Sequence, residues 1–234
     1  MFDRIKKVFS QEGRAVIAPS TAVLQQADAL PMPEWAATQG FTFTSCGSEQ
    51  KFSIQGNVRG KTWRMELGPS SRSYIQGDEL RGRAESGTPE SVAVMVMSRP
   101  LKEVLEKRTY SKYTDTLRTE ADPDLPEELR WLAMFKEAGW DGLPREFWTR
   151  YSVLTDQRDT AIAWLEPSLV FQLLEWPVPG PAADVPFIIM LMRGKVYLRM
   201  LYEPATVPVL QHAAELFTHA CEIAINTLAT DPRK

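Results

Sequence analysis

Cysteine and histidine are scarce in this chain, which holds two of each among 234 residues. The cysteines, Cys46 and Cys221, form neither a Cys-x-x-Cys pair nor a disulfide framework, and their number favours a reducing compartment. With only His212 and His219 available, a histidine-rich metal site cannot be built. We therefore expect no metal and no cofactor.

Long apolar runs are missing as well. No stretch of about 18 apolar residues occurs, so the sequence predicts no membrane-spanning helix. The N-terminus carries basic residues but lacks the apolar run of roughly 7–15 residues that a signal peptide needs. Together these absences indicate a cytoplasmic protein.

Sequence motifs of the common enzyme classes are also missing. The chain has no G-x-S-x-G, no phosphate-binding P-loop, no H-E-x-x-H and no G-x-G-x-x-G after a strand. Cys46 precedes a glycine in a turn-like stretch and is a candidate nucleophile, but no histidine lies near it in sequence. An unreactive thiol is the simpler interpretation, and we predict no catalytic residue. An enzyme with an unrecognised site is the alternative hypothesis.

The composition is that of a globular protein with a substantial core, since 44% of the residues are hydrophobic and 24% are charged. The 27 basic and 30 acidic residues give a net charge of -3. Proteins that bind nucleic acid over a large surface usually carry a marked basic excess. The charge balance therefore disfavours nucleic acid as a partner.

Hydrophobic periodicity predicts an α+β fold with two sequential antiparallel sheet-plus-helix units and a long C-terminal amphipathic helix. The predicted divisions are an N-terminal amphipathic segment and tether (1–33), a first α+β unit (34–108), a linker or long loop (109–126) and a second α+β unit (127–234). Glycine-containing turns predict one hairpin in each unit, at Arg59-Gly60 and at Arg193-Gly194.

Other elements follow from shorter patterns. The apolar run SVAVMVMS predicts the central strand of the first sheet. We expect helices over 126–139 and 206–229, and a further helix that Pro167 kinks or divides.

Strand alternation places Arg64, Arg81 and Arg83 on the polar side of the first predicted sheet. With Tyr74 as a stacking surface, this side would suit a phosphate, another anionic ligand or a nucleic acid, or it would form a protein interface. Glu66 and Glu85 fall on the same side, and cross-strand pairs of arginine and glutamate stabilise many sheets. A salt-bridged solvent face is therefore the alternative.

The first ten residues, MFDRIKKVFS, form an amphipathic pattern with four apolar side chains on one helical face. These are Phe2, Ile5, Val8 and Phe9. Such a face can contact an anionic membrane surface or pack against a protein, and a frayed terminus is the third interpretation.

Two further groups of residues, on the C-terminal helix and among the tryptophans, are best explained by solvent exposure and by core packing. On the C-terminal helix, His212, Glu215, His219 and Glu222 form one stripe opposite the apolar residues, which predicts a solvent face. Five of the seven tryptophans lie beyond residue 130 and are expected mainly in the core, with a carbohydrate or peptide groove as the alternative.

Three functional hypotheses remain. The first is a non-catalytic adaptor or chaperone-like protein that contacts another protein or a second copy of itself. The second is an enzyme or small-ligand-binding protein with an unrecognised site. The third is a peripheral membrane protein held by residues 1–10.

Overall fold

A computed structural model describes residues 31–45, 51–115 and 127–229. The strands in these ranges are β1 (Thr42–Ser45), β2 (Phe52–Val58), β3 (Lys61–Pro69), β4 (Asp78–Glu85), β5 (Ala93–Ser98), β6 (Lys136–Ala138), β7 (Tyr151–Thr155), β8 (Phe187–Met192) and β9 (Lys195–Leu201). The helices are α1 (Met32–Thr38), α2 (Arg99–Asp115), α3 (Glu127–Met134), α4 (Arg145–Arg150), α5 (Arg158–Trp164), α6 (Pro167–Leu174) and α7 (Val207–Ile223).

All nine strands join one sheet in the order β1-β2-β3-β4-β9-β8-β5-β7-β6, and every neighbouring pair is antiparallel. The predicted α+β class is confirmed, but the prediction of two sequential sheets is wrong. The hairpin of β8 and β9 lies between β4 and β5, so strands from both predicted units pair with one another. Strand β8 is buried along its whole length, and such a strand needs a neighbour on each side and a covering layer on each face.

The chain between the two predicted units is partly helical. Residues 109–115 of the predicted linker belong to α2, and residues 116–126 lie outside the described residues. The helix predicted over 126–139 ends at Met134, and Lys136–Ala138 form the edge strand β6. Strand β5 is interior to the sheet as predicted, although both of its neighbours come from the predicted second unit.

Both predicted hairpins are confirmed. Arg59 and Gly60 have φ values of 52° and 80°, and Arg193 and Gly194 have φ values of 49° and 72°. Two consecutive positive φ values characterise the two-residue turn whose twist matches that of the flanking strands. In the first hairpin, the Gly60 N–H also donates to Asn57 Oδ1 at 2.8 Å.

The larger core lies on the face of the sheet that α1 and α4–α7 cover. Strand residues Trp63, Met65 and Leu198 belong to this core, and the Trp63 ring lies edge-on to the ring of Phe217 on α7, with centroids 6.0 Å apart. Gly82 allows the close contact, because a Cβ at this position would lie 3.0 Å from the Phe217 ring and 3.1 Å from Leu198 Cβ.

Helix α7 confirms the predicted C-terminal helix. The Thr206 hydroxyl accepts a hydrogen bond from the Val209 N–H at its start, and a π-helical turn, Ala224–Leu228, extends its end. The helix predicted around Pro167 is divided there, with Pro167 in the first turn of α6.

A smaller core occupies the opposite face of the sheet. Helices α2 and α3 supply Leu101, Leu105 and Trp131, which pack against Met95 and Met190 of β5 and β8. Over β2, β3 and β4, by contrast, the side chains that point to this side are mainly polar and exposed or half-buried. No helix in the described ranges packs on that half, which is where the candidate site lies.

Candidate functional site: an open arginine-rich sheet face

The uncovered half of the sheet carries a shallow depression with a volume of about 640 Å³ on β3, β4 and β9. We call this surface the open face. Its charged and aromatic side chains are Arg64, Glu66, Arg81, Arg83, Glu85, Lys195, Tyr197 and Arg199.

The strand register places arginine directly opposite arginine at two positions on the open face. Arg64 of β3 pairs with Arg83 of β4, and Arg81 of β4 pairs with Arg199 of β9. Residues directly opposite each other have Cβ atoms about 4.5–5.5 Å apart, and like charges in such positions are destabilising. The two arginine pairs therefore favour an anion between or above them.

Two glutamates of the chain supply part of the negative charge that the facing arginines favour. Glu66 contacts two arginines, with Arg64 Nη2 2.6 Å from its Oε1 and Arg81 Nη2 3.8 Å from its Oε2. Glu85 contacts Arg83 and Lys195 at 3.7 and 3.3 Å. The Arg83 and Glu85 side chains are 61% and 57% exposed, so solvent screens this pair strongly.

Glu79, which is itself fully buried, forms a different contact at the border of the open face. Its Oε1 accepts a hydrogen bond from Arg199 Nη1 at 2.6 Å. Its Oε2 accepts from the N–H and the hydroxyl of Ser71 at 2.9 and 3.2 Å. The carboxylate is thus fixed between β9 and the segment that connects β3 to β4.

The structure brings together three of the four residues predicted for an anion or interaction face. Arg64, Arg81 and Arg83 lie side by side in the depression. Tyr74 does not join them, because it is 7% exposed and packs in the smaller core beside Ile75. It lies in a turn-rich segment where no strand alternation indicates the direction of a side chain.

Sequence reasoning missed Tyr197 and Arg199, the contribution of β9 to the depression. The signal was present, because both alternate with the buried residues Val196, Leu198 and Met200. The sequence did not indicate that β9 pairs with β4. The polar side of β9 therefore had no predicted position relative to the arginines.

Several predicted positions fall outside the described residues. They are the apolar side chains Phe2, Ile5, Val8 and Phe9, and the thiol of Cys46. Their predicted roles stay predictions. Within the described ranges, no helix is both long enough and apolar enough to cross a membrane.

The histidines do not lie on a free solvent face as predicted. His212 Nε2 donates to the Gln172 carbonyl at 2.8 Å, and His219 Nδ1 lies 2.8 Å from Gln172 Oε1. Burial lowers the pKa of His212, although its hydrogen bond to Gln172 and the charge of Glu215 oppose the shift. The two side chains therefore join α6 to α7.

The predicted core cysteine and the tryptophans can also be located in the structure. Cys221 is buried as predicted, and burial raises the pKa of its thiol. Trp131 and Trp164 are buried, as expected for core residues, whereas Trp140, Trp148 and Trp176 are partly buried against the larger core. Among the described residues, no group of three or more histidine, cysteine, aspartate or glutamate side chains could hold a metal ion.

No protein-family model matches the chain, and no curated protein matches it in sequence. Among solved structures, the chain is similar to the mycobacterial trehalose monomycolate transport factor A, TtfA. The TM-score is 0.45 at 10% sequence identity, and the match covers 86% of this chain and 96% of that chain. A resemblance at this level carries no information about the activity of this chain.

The guanidinium groups of the open face have a chemistry that suits contact with an anion. A guanidinium group stays protonated at neutral pH and presents N–H donors in a fixed planar geometry, which matches a carboxylate or a phosphate. It neither exchanges protons readily nor acts as a nucleophile. The arrangement is suited to holding an anionic group at the surface.

Proposed function

We propose that this chain is a non-catalytic interaction protein that binds an acidic segment of a partner protein on its open face. The observation that carries the proposal is the placement of arginine opposite arginine twice on an uncovered half of the sheet. This function corresponds to the first of the three hypotheses drawn from the sequence.

Charge complementarity supports an acidic partner. Five cationic side chains at the open face meet three carboxylates, those of Glu66, Glu79 and Glu85. The surface therefore retains a local positive excess, although the whole chain has a net charge of -3. A partner carboxylate would relieve the repulsion between facing arginines and gain charge-assisted hydrogen bonds.

A protein partner fits this surface better than a nucleic acid. Glu66 and Glu85 are partly exposed among the arginines and would repel a continuous phosphate backbone. Tyr197 is the aromatic side chain that the depression offers for stacking on its outer side, whereas single-stranded nucleic acids usually contact several aromatic rings. Interleaved charges are typical of the polar surfaces by which proteins recognise one another.

An anionic membrane also fits poorly. The arginines line a depression, whereas a bilayer presents a broad and nearly flat layer of charge. Arg81 and Arg199, with side chains 33% and 18% exposed, would not reach such a layer as readily as an inserted peptide side chain could reach them.

Binding of a defined acidic peptide tests the proposal. We would titrate the full chain into a fluorescein-labelled glutamate-rich peptide and measure anisotropy at low and moderate salt. The Arg64→Gln/Arg83→Gln variant should bind about tenfold more weakly, because two charge contacts are lost. Added salt should weaken binding of the unmodified chain.

The matched control is Arg145→Gln/Arg158→Gln, which removes the same charge from exposed positions on α4 and α5. Its affinity should stay within about twofold of the unmodified chain if general electrostatic attraction is weak. No binding by the unmodified chain, or equal losses in both variants, would contradict the proposal. Tighter binding to single-stranded DNA or to phosphatidylserine vesicles would replace the protein partner with that class of ligand.

A further inference from the structure

The open face holds two arginine pairs at a fixed separation. Arg81 and Arg83 are alternate residues of β4, and each faces an arginine on a neighbouring strand. Alternate residues of a strand point to the same face and lie about 6.8 Å apart. The first pair, Arg83 with Arg64, and the second pair, Arg81 with Arg199, are therefore offset by this distance along the strand direction.

In an extended peptide, side chains on one face have the same separation as the two arginine pairs. Its alternate side chains also point to one side and are separated by about 6.6–6.8 Å. A segment lying along β4 could thus direct two carboxylates, separated by one intervening residue, at the two arginine pairs. Adjacent carboxylates in such a segment would point to opposite sides, and only one of them would face the sheet.

Two carboxylates of the chain contact the second pair, and Glu66 is the more loosely held of the two. Glu66 reaches Arg81 at 3.8 Å while it contacts Arg64 at 2.6 Å, and its side chain is 36% exposed. Glu79, in contrast, is fully buried and held by Arg199 and Ser71. An incoming carboxylate can therefore displace Glu66 from Arg81 without disturbing the buried contact.

We infer that the acidic segment recognised by the open face is an extended strand with carboxylates at alternate positions, and that Glu66 competes with it for the arginines. The inference rests on the proposed function and specifies its partner. The partner's side chain at the intervening position points to solvent, so its identity matters little. The partner's two acidic side chains replace Glu66 and bridge the facing arginines.

Two peptides of identical composition test the spacing. One has glutamate and serine in strict alternation, and the other repeats two glutamates followed by two serines, so that no two of its glutamates are separated by a single residue. The alternating peptide should bind the full chain about tenfold more tightly, since both arginine pairs are engaged by one ligand. Equal affinity for the two peptides overturns the inference but leaves the proposed function standing, whereas no binding of either peptide contradicts both.

The competitor is tested separately with Glu66→Gln. This variant should bind the alternating peptide several-fold more tightly than the unmodified chain, because Arg64 and Arg81 lose their internal carboxylate. The control Glu215→Gln removes the same charge from an exposed position on α7, on the opposite face of the sheet. Unchanged or equally increased affinity in the two variants shows that Glu66 does not compete.

Discussion

At the residue scale, Gly82 determines how closely α7 approaches the sheet. A Cβ at this position would lie 3.0 Å from the Phe217 ring, and both Phe217 and Leu198 are fully buried. Since neither side chain has free space to move into, we expect Gly82→Ala to lower the free energy of unfolding by about 1–3 kcal/mol. Urea denaturation followed by circular dichroism measures this change.

Gly139 provides the matched control. It is exposed, and a Cβ there would have no atom within 4 Å. Gly139→Ala should therefore leave the free energy of unfolding unchanged or raise it by roughly 0.4–1 kcal/mol, because alanine reduces the conformational entropy of the unfolded chain. If Gly82→Ala proved as harmless as Gly139→Ala, the packing of α7 on β4 would be looser than the structure indicates.

At the element scale, Glu79 attaches the connection between β3 and β4 to the sheet. It is fully buried and accepts hydrogen bonds from Arg199 and from Ser71. Glu79→Gln removes the negative charge that Arg199 faces. Removing one partner of a buried ion pair typically lowers the free energy of unfolding by about 3–5 kcal/mol. We expect a loss approaching this size in urea denaturation.

The same substitution at Glu85 should cost less than about 1 kcal/mol, because its contacts with Arg83 and Lys195 are exposed and screened. The comparison separates the effect of burial from the effect of replacing glutamate by glutamine. Equal losses at the two positions would mean that burial of the Glu79 pair contributes nothing to stability.

Local elements could be predicted from the sequence because their causes are local. Glycine in the second turn position predicts the hairpins at Arg59-Gly60 and Arg193-Gly194, and Pro167 predicts the division between α5 and α6. Alternation gave the correct side for Arg64, Arg81 and Arg83. The direction of Tyr74 could not be derived in this way, because a turn has no fixed side-chain period.

At the scale of the whole molecule, strand order could not be predicted. The pairs β4–β9 and β5–β8 join residues more than 90 positions apart, and alternation is equally compatible with many neighbours. The sequence pattern therefore suggested two sheets where one exists. For the same reason it provided the three arginines of the candidate site but not Arg199, whose position opposite Arg81 depends on that long-range pairing.

A shared sheet has a consequence for unfolding that two independent units would not have. Since β8 and β9 lie between β4 and β5, unfolding of the later part would leave β5 without a neighbour and would uncover the apolar side of β1–β4. We expect a single cooperative transition in urea, with coincident midpoints from far-ultraviolet circular dichroism and tryptophan fluorescence. The tryptophans report on both parts, since Trp35 and Trp63 precede residue 109 and the other five follow residue 126.

Gly82→Ala should shift both midpoints equally, whereas separated midpoints, or a shift in only one signal, would favour two independently folding units.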